Sequence, residues 1–354
     1  MSTTLEIATD GARERGILLE QQIAADPSPF RILSGERPTG PLHVGHYFGT
    51  VANRVRLQQA GVELIMVVAD YQVITDRDVA GDVAGAAHGL VLDYLAAGID
   101  PHATTIFTQS AVPALNQLLL PFLSLVTVAE LDRNPTVKAE VAASGRSLSG
   151  LMLTYPVHQA ADILFCHANL VPVGRDQLPH LELTRTIARR FNQRYSSASP
   201  YFPEPDALLS EAPLVLGTDG RKMSKSFGNA IELRMTADET ATRLRGARTD
   251  SERRITYEPE RRPEVANLLR LASLAGAGEP GEIAEQVGDG GAGRLKALVT
   301  DAVNDHLAPI RARRASLAGE PALVADVLRA GNERANELAE RTLAEVRRLM
   351  GMAY

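Results

Sequence analysis

Short apolar runs alternate with amphipathic stretches through the first third of the chain. Arg31-Ile32-Leu33-Ser34 closes on Gly35 and predicts a first strand. A polar turn rich in Pro and Gly follows, and a helical pattern then runs from about His46 to Ala60 and stops at Gly61. Leu64 to Ala69 is continuously apolar, partly β-branched, and ends at Asp70, the pattern of a strand buried on both faces of a parallel sheet. Val83, Ala87, Leu90, Val91, Tyr94 and Leu95 recur at helical spacing up to Gly98, and Thr105-Ile106-Phe107-Thr108 reads as the next strand. Strand, helix, strand, helix, strand in this order predicts a doubly wound α/β domain with ligands outside the C-terminal strand ends.

From about 113 to 195 the pattern is mostly helical, broken by the strand-like Leu170-Val171-Pro172-Val173; a second helix is expected from about Gln177 to Tyr195. Pro200, Pro203, Pro205 and Pro213 mark a linker before a further strand candidate, Leu214-Val215-Leu216. After about 234 the chain turns into Ala/Leu/Arg/Glu-rich helical segments separated by a Gly-rich stretch over 288–293. The expected organisation is an arm over 1–28, a Rossmann-type catalytic domain over 29–233 with a helical insertion at about 113–195, and an all-helical domain over 234–354. Gly288, Gly290 and Gly293 spell the GxGxxG dinucleotide fingerprint, but Glu282 to Val287 before them read as helix, not strand. A flexible loop is expected there instead.

The chain has 354 residues, 45% hydrophobic and 23% charged, which suits about two globular domains and excludes disorder throughout. A net charge of −6 confines any nucleic-acid surface to a local patch. The longest apolar run, Leu118 to Ala129, is interrupted by Pro121 and too short to span a bilayer, so no membrane partner is expected. The N-terminus carries Glu6 and Asp10 without an apolar segment, and the single Cys166 excludes an internal disulfide. Both point to the cytoplasm. The chain contains no Trp.

Two segments carry chemistry. Pro38-Thr39-Gly40-Pro41-Leu42-His43-Val44-Gly45-His46 lies between the first strand and its helix, where a nucleotide phosphate meets unpaired helix N–H groups. Gly45 leaves room for a flat base, and His43 and His46 can donate to phosphate oxygens. Lys222-Met223-Ser224-Lys225-Ser226, flanked by Gly217-Thr218-Asp219-Gly220 and Gly228-Asn229, is a basic loop over 217–229 suited to gripping a polyphosphate in the transition state. In this order around an α/β domain, the two resemble the HIGH and KMSKS signatures of class I aminoacyl-tRNA synthetases.

A third segment bears on the substrate. In Thr154-Tyr155-Pro156-Val157-His158-Gln159-Ala160-Ala161-Asp162-Ile163-Leu164, Gln159 and Asp162 stand three apart on one helix face amid apolar neighbours. A carboxylate there is costly unless paired, and a donor-only indole N–H would be a partner; an Arg or backbone group would serve as well. This stretch, with Val171-Pro172-Val173-Gly174-Arg175-Asp176-Gln177, His180-Leu181-Glu182-Leu183-Thr184-Arg185, Thr249-Asp250-Ser251-Glu252 and Asn267-Leu268-Leu269, resembles the bacterial tryptophanyl-tRNA synthetases from about Ile32 to the C-terminus.

The resemblance implies that Arg37, Pro38, Thr39, Gly45 and His46 contact ATP, that Gly174, Arg175 and Asp176 hold its ribose, and that Leu214 touches adenine. Lys222 to Ser226 would form the phosphate loop, with His43, His46, Lys222 and Lys225 carrying catalysis without a protein nucleophile. Asp162 would read the indole, with Tyr155 and Gln177 around the substrate. Four positions depart from the family pattern: Arg37 for Gln, Arg175 for Glu, Gln159 for Met, and Gln72 for His near the indole. Gln159 also echoes archaeal-type tyrosyl enzymes, so tyrosine stands as the alternative amino acid. A synthetase-like binding protein without catalysis would tend to lose the loop or the histidines, and this chain keeps both. The implied reaction joins L-tryptophan to tRNA(Trp) with ATP and a substrate-borne Mg²⁺, in a homodimer whose C-terminal helices read the anticodon.

Overall fold

The computed structural model describes residues 15–75, 81–144, 147–174, 177–209, 215–224, 227–320 and 322–354. A helix over 15–25 (α1) leads into strand β1 (Arg31–Glu36). The helical stretch that follows is α2 (Val44–His46), a π-helical turn Tyr47–Val51 and α3 (Ala52–Gln59). Next come β2 (Glu63–Val68), α4 (Val83–Ala97) and β3 (Thr104–Thr108). A run of short helices, α5 (Pro113–Gln117), α6 (Leu119–Leu123), α7 (Val128–Asp132) and α8 (Pro135–Ser144), precedes α9 (Gly150–Leu164). Then follow β4 (Leu170–Val173), α10 (Leu178–Tyr195) and β5 (Asp206–Leu209). The remainder is α11 (Ala237–Arg245), α12 (Pro263–Leu274), α13 (Pro280–Val287), α14 (Gly291–Ala318) and α15 (Leu323–Leu349).

The five strands pair in parallel in the order β3-β2-β1-β4-β5, the Rossmann-type arrangement. Alternation along β2 divides the core as strand geometry requires: Leu64, Met66 and Val68 enter one apolar cluster, Ile65 and Val67 the other. The first cluster takes in α4, α12 and α14, the second α9, α10 and α15. Strand order reverses at β1, which has β2 on one side and β4 on the other. The crevice outside the C-terminal ends of β1 and β4 is therefore the place where such folds take ligands.

The C-terminal helices close onto the sheet. Gly331 of α15 lies so near β3 that a Cβ atom there would stand 1.8 Å from the Ile106 carbonyl oxygen. Asn332 Oδ1 then accepts from the Thr108 amide at 2.9 Å, covering an edge that would otherwise be open. At the opposite edge, α1 buries Leu19 and Ile23 and sets Arg15 2.6 Å from Asp206 of β5.

Three expectations change. The proline-marked linker contains β5, a four-residue edge strand. Asp-Ala-Leu-Leu has little β propensity and is too short for a periodic signal. Of the candidate strand over 214–216, Leu216 makes only an isolated bridge to Lys222, and Leu214 lies outside the described residues. The Gly-rich stretch is a single 3₁₀ turn (Gly288–Gly290) followed at once by the first turn of α14, not a loop. Helix α13 before it removes the strand that a dinucleotide site needs. Among the described residues no helix is long and apolar enough to cross a membrane.

Candidate active site

The Pro- and Gly-rich turn leaves β1 at Glu36 and reaches α2 through Arg37-Pro38-Thr39-Gly40-Pro41. Arg37 is exposed and Pro38 buried, and the Thr39 amide donates to the Arg37 carbonyl at 2.8 Å. His43 caps α2: its Nδ1 accepts from the His46 amide at 3.3 Å, while His46 Nδ1 accepts from the His43 amide at 3.4 Å. The two rings stack with centroids 3.6 Å apart. Because both Nδ1 atoms accept, the neutral tautomer of each ring carries its proton on Nε2. A Cβ at position 45 would stand 3.0 Å from His43 Nδ1, so Gly45 also makes room for the capping ring.

The expectation of unpaired helix amides needs correction. The Val44 amide already donates to Ile231 at 2.9 Å and the His46 amide to His43. A three-residue helix has few amides to offer, and its neighbours consume these two. His43 bridges Glu232, and the Leu233 amide donates to the Leu42 carbonyl at 2.9 Å, so the segment after the basic loop is laced to the Pro- and Gly-rich turn. Met223 of the loop is buried against Gly45.

Asn229 shapes the described part of that loop. Its Oδ1 accepts from the Ser224 amide at 2.8 Å, and its Nδ2 donates to the Lys222 carbonyl at 3.1 Å and to Asp219 Oδ1 at 2.7 Å. That last bond holds the Asp219 carboxyl down to about 2. Asn267 of α12 clamps both backbone groups of Leu216, 2.8 and 3.2 Å away. Lys222 is exposed, while Lys225, Ser226, Arg175, Asp176 and Leu214 lie outside the described residues.

The third set of residues gathers where α9 passes the ends of β2 and β3. Asp162 is buried, and both its oxygens accept from Gln109 Nε2, at 2.8 and 2.7 Å. Burial raises its carboxyl to about 8 despite those bonds. Gln109 Oε1 is buried with no hydrogen-bond partner among the described residues. Sequence reasoning missed Gln109, although it stands just past the C-terminal end of β3, the edge where ligands sit.

Gln72, also buried, donates through Nε2 to His158 Nδ1 at 3.2 Å, and His158 Nε2 donates to Asn116 Oδ1 at 2.7 Å. Both bonds suit a neutral ring, and burial pushes His158 down to about 4. Gln159 faces α10 instead, accepting through Oε1 from His180 Nδ1 at 2.9 Å, while Tyr155 donates to His180 Nε2 at 3.2 Å. Gln159 and Asp162 therefore have separate partners. Gln177 begins α10, its amide bonded to the Gly174 carbonyl at 3.0 Å.

The family described as tRNA synthetases class I (W and Y) matches residues 26–308. The chain belongs to that family. It is 41% identical over 341 residues to the tryptophan–tRNA ligase of Treponema pallidum, covering 91% of this chain and 97% of that protein. The tryptophan–tRNA ligase of Thermotoga maritima is 40% identical over 334 residues, with 92% and 100% covered. Among solved structures, tryptophanyl-tRNA synthetase from Campylobacter jejuni, complexed with ADP and tryptophan, superposes with a TM-score of 0.78 at 28% identity. That likeness covers 91% of this chain and 100% of that one. The tyrosyl-tRNA synthetase of Archaeoglobus fulgidus, at 24% identity and a TM-score of 0.64, shares the fold.

Proposed function

We infer that the chain is a tryptophan–tRNA ligase that uses ATP. The observation that carries the reading is the lacing of the two signature segments into one site at the sheet's switch point, with a buried, amide-held carboxylate on α9 beside it. The relatives that match over nine-tenths of the chain supply the amino acid.

In the first step the tryptophan carboxylate attacks the α-phosphorus of Mg²⁺-bound ATP, the bond to the β-phosphate oxygen breaks, and pyrophosphate leaves. In the second, the 2′-hydroxyl of the terminal adenosine of tRNA(Trp) attacks the adenylate carbonyl, loses its proton and displaces AMP. No side chain becomes covalently attached. In-line positioning and neutralisation of phosphate charge suffice. His43 and His46 donate through Nε2–H, Lys222 and Lys225 grip the polyphosphate with Ser224 and Ser226, and Met223 anchors the loop against Gly45. Arg37, Pro38, Thr39 and Gly45 seat the nucleotide, Gly174, Arg175 and Asp176 its ribose, and Leu214 its base. Asp162 accepts the indole N–H, within a pocket made with Tyr155, Gln177 and Gln72, while Gln159 holds His180 of α10.

The proposal extends to a cytoplasmic homodimer in which residues 234–354 form the anticodon-reading part and residues 29–233 the catalytic part. The test is aminoacylation of a tRNA(Trp) transcript with labelled tryptophan. Accumulation of tryptophanyl-tRNA is expected; adenylate formation without transfer would remove the ligase assignment.

A further inference from the structure

The turn over 37–41 is flanked by Glu36 and Leu42, which are fastened to consecutive residues of α4. At the entry, the Tyr94 hydroxyl donates to Glu36 Oε2, and Arg54 Nη1 lies 3.1 Å from Glu36 Oε1. At the exit, Asp93 Oδ2 accepts from the Leu42 amide at 2.9 Å, one residue before His43. The Asp93 side chain is 0% exposed, on a helix whose other buried residues are Ala87, Leu90, Val91, Leu92, Tyr94, Leu95, Ala96 and Ala97. A carboxylate so placed is untenable without a counter-charge. That charge comes from 221 residues further along the chain: Arg314 Nε of α14 donates to Asp93 Oδ1 at 2.7 Å. The adjacent Arg313 donates to the Ala96 carbonyl at 2.8 Å and seats the same stretch of α14 on α4.

An asparagine would hold the Leu42 amide without any partner from α14. The carboxylate makes the hold conditional on the C-terminal helix being docked. We propose that Asp93 and Arg314 are positioning residues for the nucleotide turn: Asp93 fixes the Leu42 amide and through it His43, and Arg314 makes that buried carboxylate tenable. Neither touches substrate. The proposal rests on the reading of the turn as the ATP site.

The experiment is ATP–pyrophosphate exchange with varied ATP and saturating tryptophan, on the full chain and three variants. Tryptophan affinity is read in parallel from the fluorescence of the bound amino acid, since the chain has no Trp of its own. Arg314→Met leaves the carboxylate buried and unpaired, and kcat/KM for ATP should fall at least about tenfold. Asp93→Asn/Arg314→Met keeps the acceptor and removes the charge, and should stay within about threefold of the parent. Asp93→Leu/Arg314→Met fills the space without an acceptor; kcat/KM for ATP should again fall about tenfold, with tryptophan affinity within about twofold. A merely structural pair would lower both substrates' parameters together, or neither. Parent-like ATP kinetics in the Leu/Met variant, or equal losses in both double variants, overturn the proposal. Should the Leu/Met variant fail to fold, Arg314→Met must be about tenfold worse than Asn/Met for ATP, and equality overturns it. Absence of exchange in the parent chain would instead remove the functional reading.

Discussion

The turn over 37–41 and the polar cluster around Asp162 lie at the same sheet edge and are held in opposite ways. Around the turn, backbone amides are spent on fixed neighbours: Val44 on Ile231, Leu233 on Leu42, Leu42 on Asp93. Around the pocket, polar side chains hold one another: Gln109 on Asp162, Gln72 on His158, Tyr155 and Gln159 on His180. Among the described residues, Gln109 Oε1 is a buried acceptor there without a partner. Backbone lacing gives the rigid geometry that a charged transition state requires, because pre-set donors need not reorganise during reaction. Mutually satisfied side chains instead give a pocket whose hydrogen bonds can be exchanged for a ligand's. Specificity should then be easier to alter than catalysis.

The largest effect should come from the phosphate side. Lys225→Ala is expected to slow adenylate formation by ~10²–10³ with tryptophan affinity little changed, the outcome of a loop that acts on transition-state charge as proposed. Rapid-quench measurement of adenylate formation checks this. An unchanged rate would remove the loop from the chemistry.

On the pocket side, Asp162→Ala should erase the preference for tryptophan over its N-methyl-indole analogue, a preference expected to be about tenfold or more in the parent. Relative exchange rates with the two amino acids decide the point, and a variant that keeps the preference would make Asp162 structural only. The same carboxyl gives a pH signature. Its value of about 8 lies above that of an unfolded aspartate, so the folded chain keeps a proton that the unfolded chain has lost between pH ~4 and ~8. This contribution to stability therefore falls as pH rises through that window. An indole N–H bonds best to the ionised form, so tryptophan affinity should rise with pH up to about 8, by at most about tenfold per unit. Ligand fluorescence titrations from pH 6 to 9 would show it, and Asp162→Asn should flatten the profile.

The smallest effect concerns Gln72. Its amide nitrogen is committed to His158, and an imidazole in its place could not keep that bond in the same form. Gln72→His should narrow acceptance of 5-hydroxytryptophan relative to tryptophan by ~1 kcal/mol, about five- to tenfold. Identical relative exchange rates would mean that position 72 does not face the indole.

How far all this could be read in advance follows the same division. β2 and β4 were visible as apolar runs, and the turn and loop as segments whose chemistry is carried by contiguous residues. The partners that make the site work are contacts between distant positions, and no local pattern marks them. Gln109 and Asp162 are 53 residues apart, Asp93 and Leu42 51, Leu216 and Asn267 51. Asp162 drew attention because a carboxylate on an apolar helix face needs a partner, yet that rule could not say that the partner would be an amide past β3. Asp93, a carboxylate on a still more apolar helix, carried the same signal and was missed. β5 was hidden for another reason: four residues between prolines carry too little period to register.

The central claim is that this edge binds ATP and tryptophan together and activates the amino acid. ATP–pyrophosphate exchange measured with tryptophan and with tyrosine tests it most directly. Exchange that depends on tryptophan is expected, with tyrosine disfavoured by on the order of 10² or more. Exchange supported by tyrosine, or by neither amino acid, would contradict it.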